Sequence, residues 1–404
     1  MLPLHRLIWT AMMTNRHRFM STVSDIPSDF NPHRLRLARE RRGLTKESLG
    51  QLCGVSRRAV TDWESGNVES PPVGRIADVL NFPASFFYGE DIDEVGEGAV
   101  SFRALSSMTP RQVRRVLTHA SLVRSFSSWI DKRYATPPVD VPSIEELTAS
   151  VYEAEPSPVE AADSVRAIWT LGVKPVRDML ALVESRGVRV FGLPATDREV
   201  DAFSFWFEDR PFVFLNASKS AERVRFDLAH ELGHLCMHRN VRTNRARRFE
   251  LDANAFASAF LMPKAGLLSQ IVGKLSLGDV MSLKKFWRVS ATAMVRRLHQ
   301  LGRITDWQYR SWMIELSGKG FRSSEPDGQA HEQSALLRQV LGLAREDGWR
   351  VDRISKELGI PRSDLSEALI GLTVTSVVAP TDAADPDHVD RTSARSSASL
   401  RLVQ

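Results

Sequence analysis

The chain has 404 residues, of which 43% are hydrophobic and 25% charged, with a net charge of +5 and two cysteines. That is chain enough for two to four domains of ordinary globular composition. No apolar run reaches the ~18–20 residues that span a bilayer. Cys53 and Cys236 are too few and too far apart for a disulfide framework, so a cytoplasmic location is expected.

Residues 1–30 open with MLPLHRLIWTAMMTNRHRF, where Arg6, Arg16, His17 and Arg18 interrupt any apolar core. This is a poor signal peptide. A disordered leader, or an extension upstream of a start at Met13 or Met20, is expected.

Residues 31–90 carry a compact helical pattern. PHRLRLARERRG predicts an amphipathic helix with Leu35, Leu37 and Ala38 near one side, closed by Gly43. LTKESLGQLCGV predicts a second helix capped by Thr45, with Ser48 where a full capping box would have Glu or Gln. Gly54 supplies a tight turn, and SRRAVTDWESG predicts a third helix with Ser56 as N-cap and Val60 and Trp63 inward. From His33 to Ser65 there are eight Lys/Arg against four Asp/Glu, a local excess that favours a polyanion partner.

The stretch RERRGLTKESLGQLCGVSRRAVTDWESGNVESPPVGRIADVLNFPASFF resembles the helix-turn-helix of the XRE (Cro/C1-type) repressor family, including its two trailing helices. Lys46 stands where that family more often has Gln. The resemblance implies double-stranded operator DNA as partner, with the third helix in the major groove. It puts Arg57, Arg58 and Thr61 at base edges, and Thr45, Lys46 and Arg36 at phosphates. Paired half-sites make a homodimer the expected assembly.

Residues 91–158 follow as a linker region, with a basic amphipathic helix over 101–135 and a break at ATPPVDVPS. From residue 159 the pattern is mixed: VRDMLALVESRG is helical, while GVRVFGLP and AFSFWFEDRPFVFLNAS read as strands.

RFDLAHELGHLCMH then packs three histidines and a glutamate into nine positions. His230 and His234 lie at i and i+4, on one helix face and about one 5.4 Å turn apart, so both can reach one zinc ion. Glu231 lies beside such a metal without occupying it and is suited to act as general base. A catalytic site needs a third ligand. His238 lies about 12 Å beyond His230 along the axis and cannot share the metal while the helix continues. Cys236 points to another face. In RRFELDANAFASAFLMP, Glu250 ranks first as the third ligand, with Asn254 orienting a ligand from behind. Asp252 ranks second, being rotated away from Asn254's side.

These segments, with the preceding strand PFVFLN, are similar to the ImmA/IrrE family of metallopeptidases from about residue 161 to 263. The resemblance implies Zn(2+) on His230, His234 and Glu250, with Glu231 as catalytic base. It further implies a protein substrate, a helix-turn-helix repressor cleaved in a stress or mobile-element response. The present chain departs by carrying its own helix-turn-helix, so self-cleavage and loss of cleavage stay open. LKKFWRVSATAMVRRLHQLGRITDWQYRSWM resembles the helical extension of fused regulators.

The expected fold is therefore multidomain and mainly α. An N-terminal five-helix lambda-repressor-like domain at 31–90 precedes an α+β zincin-like metallopeptidase domain at 159–265. A helical extension at 266–325 and a small unit at 330–372 follow, then a disordered tail at 373–404. The small unit, WRVDRISKELGIPRSDLSEALIGL, is helix-turn-helix-like with Gly359 at its turn, but lacks a basic recognition helix. Three functions remain in view. The first is a DNA-binding regulator with a zinc-dependent endopeptidase domain, whose substrate lies along residues 212–216 as an added strand. The others are a non-proteolytic regulator that senses a ligand, and an antitoxin or immunity component.

Overall fold

A computed structural model describes residues 29–373, apart from 97, 99, 101–107, 150–155, 195, 198, 240–245, 322–324 and 370. Most of the expected leader and tail lie outside the described residues. None of the described helices is long and apolar enough to cross a membrane.

The N-terminal module comprises α1 (Pro32–Arg41), α2 (Lys46–Cys53), α3 (Arg57–Glu64) and α4 (Val73–Leu80). The expected fifth helix is only a 3₁₀ segment, Ala84–Tyr88. Local chemistry explains the boundaries. Asn31, Thr45 and Ser56 each accept main-chain N–H groups at the starts of the first three helices. Gly54 ends α2 in the left-handed region at φ 69°, where a side chain would be strained. Leu35, Leu37, Ala38, Leu49, Val60 and Trp63 form the core with Phe82, Phe86 and Phe87. Leu122 and Ile360, both from outside the module, complete that core.

Leu122 belongs to α5 (Pro110–Arg133), and here the structure departs from the sequence. The helix expected as a linker is the buried centre of the molecule. Its middle is covered on nearly every side, down to Thr118, His119, Ser121 and Ser127, while Pro110, Arg111 and Arg114 at its start are exposed. Three of its six Lys/Arg are consumed internally, Arg115 by Asp197, Arg124 by Asp93 and Arg133 by Glu357. A charge pattern that reads as a solvated face can equally be a set of tertiary ion pairs.

After α6 (Ile144–Ala149), α7 (Pro158–Ile168) and α8 (Met179–Ser185) comes a three-stranded sheet. Its strands are β1 (Arg189–Gly192), β2 (Ala202–Phe207) and β3 (Arg210–Leu215), in the order β1-β3-β2. β3 is parallel to β1 and antiparallel to β2. Period-two alternation divides the sheet into two faces. Phe191, Phe203, Phe205, Phe212 and Phe214 make an aromatic face, with Phe203 stacked on Phe214 at 5.0 Å. Phe126 and His119 of α5 meet this face at Phe191 and Phe214. Ser204 and Trp206 point the other way, onto α9 (Ala221–Met237).

Helix α10 (Ala246–Leu261) lies against α9, and α7 against α10. Gly233 makes the close approach possible: a Cβ there would meet the Phe256 ring at 3.0–3.2 Å. Behind them stand α11 (Lys264–Leu268), α12 (Leu277–Trp287), α13 (Ala291–Gln300) and α14 (Asp306–Gly318).

The C-terminal unit is α15 (Ala335–Glu346), α16 (Val351–Leu358) and α17 (Arg362–Leu369). Gly359 occupies its turn at φ 65°. The helix in the recognition position, α17, is turned inward. Asp364 is buried between Arg41, the last residue of α1, and Arg42, its C-cap, and Glu367 also pairs with Arg41. This unit is an intramolecular dock, and α17 is not free to enter a DNA groove.

Candidate metal centre and DNA-binding surface

Seventeen residues of uninterrupted helix put His230, Glu231 and His234 on α9, capped at its start by Ser220. His230 Nε2 and His234 Nε2 lie 3.1 Å apart. α10 brings Glu250 to both, with Oε2 3.4 Å from His230 Nε2 and Oε1 3.4 Å from His234 Nε2. These atoms all lie within 4.8 Å of one another. A tetrahedral ion with ligand bonds of ~2.0–2.1 Å has edges of about 3.3–3.4 Å between donor atoms. The observed separations match, and two imidazoles with one carboxylate are a donor set suited to zinc.

Burial alone would disfavour a charged His230. The hydrogen bond and charge of Glu250, with the charges of Glu231 and Asp227, outweigh it and raise the pKa. Burial would also raise Glu250, but the hydrogen bonds and charges of His230 and His234 pull its pKa below the usual carboxylate range. Each partner thus favours the other's charged form.

His238 serves twice. It is the C-cap of α9, donating its main-chain N–H to the His234 carbonyl at 2.9 Å. Its Nδ1 lies 3.0 Å from His234 Nδ1. Burial, with the charges of His234 and His230, lowers its pKa to about 3. A neutral His238 can accept the Nδ1–H of His234, which leaves His234 Nε2 as an electron-pair donor toward the cluster.

Asn254 is not where the sequence suggested. It is exposed, and its Nδ2 donates to the Glu250 main-chain carbonyl at 2.7 Å, one helical turn back. The i+4 spacing favours that local bond over one to the carboxylate. Asp252 faces Arg248 at 3.6 Å and stands outside the cluster.

Sequence reasoning missed Ser204. Its hydroxyl donates to Glu231 Oε2 at 2.6 Å in a buried setting. A signal was present, since AFSFWF holds one polar residue and a buried hydroxyl requires a partner. The strand assigned to substrate was also wrong. β3, residues 210–215, has a neighbour on each side and offers no free main chain. The edge beside α9 is β2. Asn216 N–H donates to the Asp201 carbonyl at 2.9 Å, and alternation along the ladder then turns the main chain of Ala202, Ser204 and Trp206 away from β3.

A second histidine–carboxylate group joins His119, Asp364 and Glu367. Here burial and the Arg41 charge lower the His119 pKa to about 3. Arg41 and Arg42 already occupy Asp364, so the group is an ion-pair cluster.

On the N-terminal module, Arg57 and Arg58 at the start of α3 are exposed. Arg58 lies 3.9 Å from Asp62. A surface pair of that length is worth ~0–1 kcal/mol and leaves the guanidinium free to move. Thr61 Oγ1 donates to the Arg57 carbonyl at 3.1 Å. Thr45 is exposed, and Lys46 lies 3.2 Å from Glu64. Arg36, expected at a phosphate, has a partner within the chain. It pairs with Glu94, which also takes His33 Nε2 at 2.7 Å. The acidic exit segment thus packs back against α1.

Two family models match the chain. One, described as a helix-turn-helix domain, covers residues 33–84. The other, described as an IrrE N-terminal-like domain, covers residues 183–299. No curated protein matches the chain. The chain thus joins a helix-turn-helix DNA-binding domain to an IrrE-like peptidase domain, as the sequence resemblances implied.

Proposed function

We propose that this helix-turn-helix protein is a transcriptional regulator whose IrrE-like domain is a zinc-dependent endopeptidase. Its substrate is a repressor protein or the chain itself, in a stress or mobile-element response. The observation that carries this reading is the convergence of His230 Nε2, His234 Nε2 and the Glu250 carboxylate at separations of 3.1, 3.4 and 3.4 Å.

His230, His234 and Glu250 would hold the ion, which supplies Lewis-acid polarisation and an acidified water when bound. Glu231 takes the proton of the attacking water and returns it to the leaving amine. Ser204 holds Oε2 of Glu231, so one carboxylate orientation is selected before substrate arrives. An extended peptide adds to the free edge of β2, where Ala202, Ser204 and Trp206 offer main-chain hydrogen bonds.

A ligand-sensing regulator without proteolysis is the second reading. One observation favours it: Leu122 and Ile360, from elements packed on the peptidase-like domain, complete the core of the DNA-binding module. A change in one domain thereby has a packed route to the other.

Glu231→Gln separates the two. It keeps the side-chain shape and the metal donors while removing the base. A peptidase variant of this kind retains metal, folding and DNA binding but loses cleavage by ~10²–10⁴-fold. The readouts are transcription from a promoter the protein binds and a gel for repressor fragments. Normal induction by Glu231→Gln, with no fragments from the wild type, sinks the protease reading.

A further inference from the structure

The start of α5 brings two arginines, Arg111 and Arg114, to the face of the helix-turn-helix that holds the expected DNA contacts. A groove of about 540 Å³ is lined by Thr45, Lys46 and Arg57 on one side and by Arg111 and Arg114 on the other, with the carboxylates Glu40 and Glu47 also in its lining. Gly43, in the turn between α1 and α2, forms its floor. A Cβ there would meet Arg115 Cδ at 3.4 Å and Arg111 Nε at 3.6 Å, so the arginine stems of α5 lie directly over that turn.

Two carboxylates, Glu40 and Glu47, stand there against five cations, Arg39, Lys46, Arg57, Arg111 and Arg114, so the charge is only partly settled internally. Among the described residues no carboxylate pairs with Arg57 or Arg111. Arg114, half exposed, reaches Glu40 at 3.8 Å and no other carboxylate among the described residues. Lys46 shares Glu64 with Arg39, so that carboxylate is already matched. Arg111, in the first turn of α5, also opposes the positive end of the helix dipole, where acidic residues are favoured. α5 has no acidic residue in its first turn. Cations gathered against local preference, at one mouth, fit an anion supplied from outside.

We propose that the start of α5 is a second DNA-backbone contact, in which Arg111 and Arg114 hold phosphates of the strand flanking the site read by α3. The proposal rests on the helix-turn-helix reading, because the groove's other wall is that module's own DNA-facing edge. Base sequence is read by α3, while Arg111 and Arg114 add affinity and fix the angle at which the module docks. α5 then couples DNA to the peptidase-like sheet directly, since the same helix runs on beneath Phe191 and Phe214.

The test uses the full-length protein, a mixed-sequence DNA duplex and binding measured across a salt series. Arg111→Ala/Arg114→Ala should lower the slope of log affinity against log salt by about 1 per arginine. It should leave metal content and the preference between a selected and a mixed duplex unchanged. Arg111→Lys/Arg114→Lys should hold the slope near the wild-type value, because a lysine also meets a phosphate. An unchanged slope in the alanine variant, while Arg57→Ala/Arg58→Ala loses binding, overturns the proposal and leaves the module's reading intact. Loss that lysine does not rescue also overturns it, since it points to a structural role. If neither pair of arginines alters binding, the helix-turn-helix reading fails first and the proposal with it.

Discussion

The hydroxyl of Ser204 donates to Oε2 of Glu231 at 2.6 Å, across the interface between β2 and α9. A hydrogen bond to a charged group contributes ~1.5–3 kcal/mol. Ser204→Ala should therefore lower kcat for peptide hydrolysis roughly ten- to a hundredfold, with metal content unchanged. Steady-state kinetics on the wild-type substrate check this. A kcat equal to that of the wild type would remove Ser204 from the site's machinery.

Metal content should track the three converging donors and nothing else nearby. One zinc per chain is expected, lost in His234→Ala and retained in Asn254→Ala and Asp252→Ala. The last two side chains face the Glu250 carbonyl and Arg248, away from the cluster. Metal analysis of the purified proteins decides it. Equal zinc in wild type and His234→Ala would rule out the assigned ligands.

Arg57 and Arg58 stand exposed at the start of α3 with no strong internal partner. If either reads a guanine, its replacement by Ala should cost ~1–3 kcal/mol at a selected operator. Arg36→Ala should cost far less, because Arg36 is engaged by Glu94. Titrations on the selected duplex test both statements. Unchanged affinity in Arg57→Ala/Arg58→Ala would defeat the recognition-helix assignment.

Glu184 links the C-terminal unit to the sheet domain, accepting the Ser334 hydroxyl and the N–H groups of Ala335 and Leu336. Burial pushes its pKa up to about 7, against those hydrogen bonds. An unfolded Glu titrates near ~4.3, so between that value and about 7 the folded chain keeps a proton the unfolded chain has released. The Glu184 contribution is complete below ~4.3 and falls as pH rises through about 7, by up to ~1.4 kcal/mol per pH unit. Glu184→Gln should flatten the denaturation midpoint over that window. Parallel curves for the two proteins would refute the linkage.

What the sequence determined by itself was local. Thr45, Gly54 and Ser56 mark helix ends because a side-chain oxygen or a left-handed backbone acts within three or four residues. The four-residue spacing of His230 and His234 sets both rings on one face of α9 for the same reason. The alternation in AFSFWF and RPFVFL marks two strands, but which of them is an edge cannot be read from either one. β1 pairs with β3 through residues more than twenty positions away, and that pairing alone leaves β2 open. Burial of α5 was equally hidden, because its arginines look solvated until Asp197, Asp93 and Glu357 arrive from distant segments. Asp364 turns α17 inward only because Arg41 and Arg42, at the end of α1, stand opposite. Short-range hydrogen bonds and periodicity are written in consecutive residues. Strand order, helix docking and the pairing of buried charges depend on side chains that only the folded chain brings together.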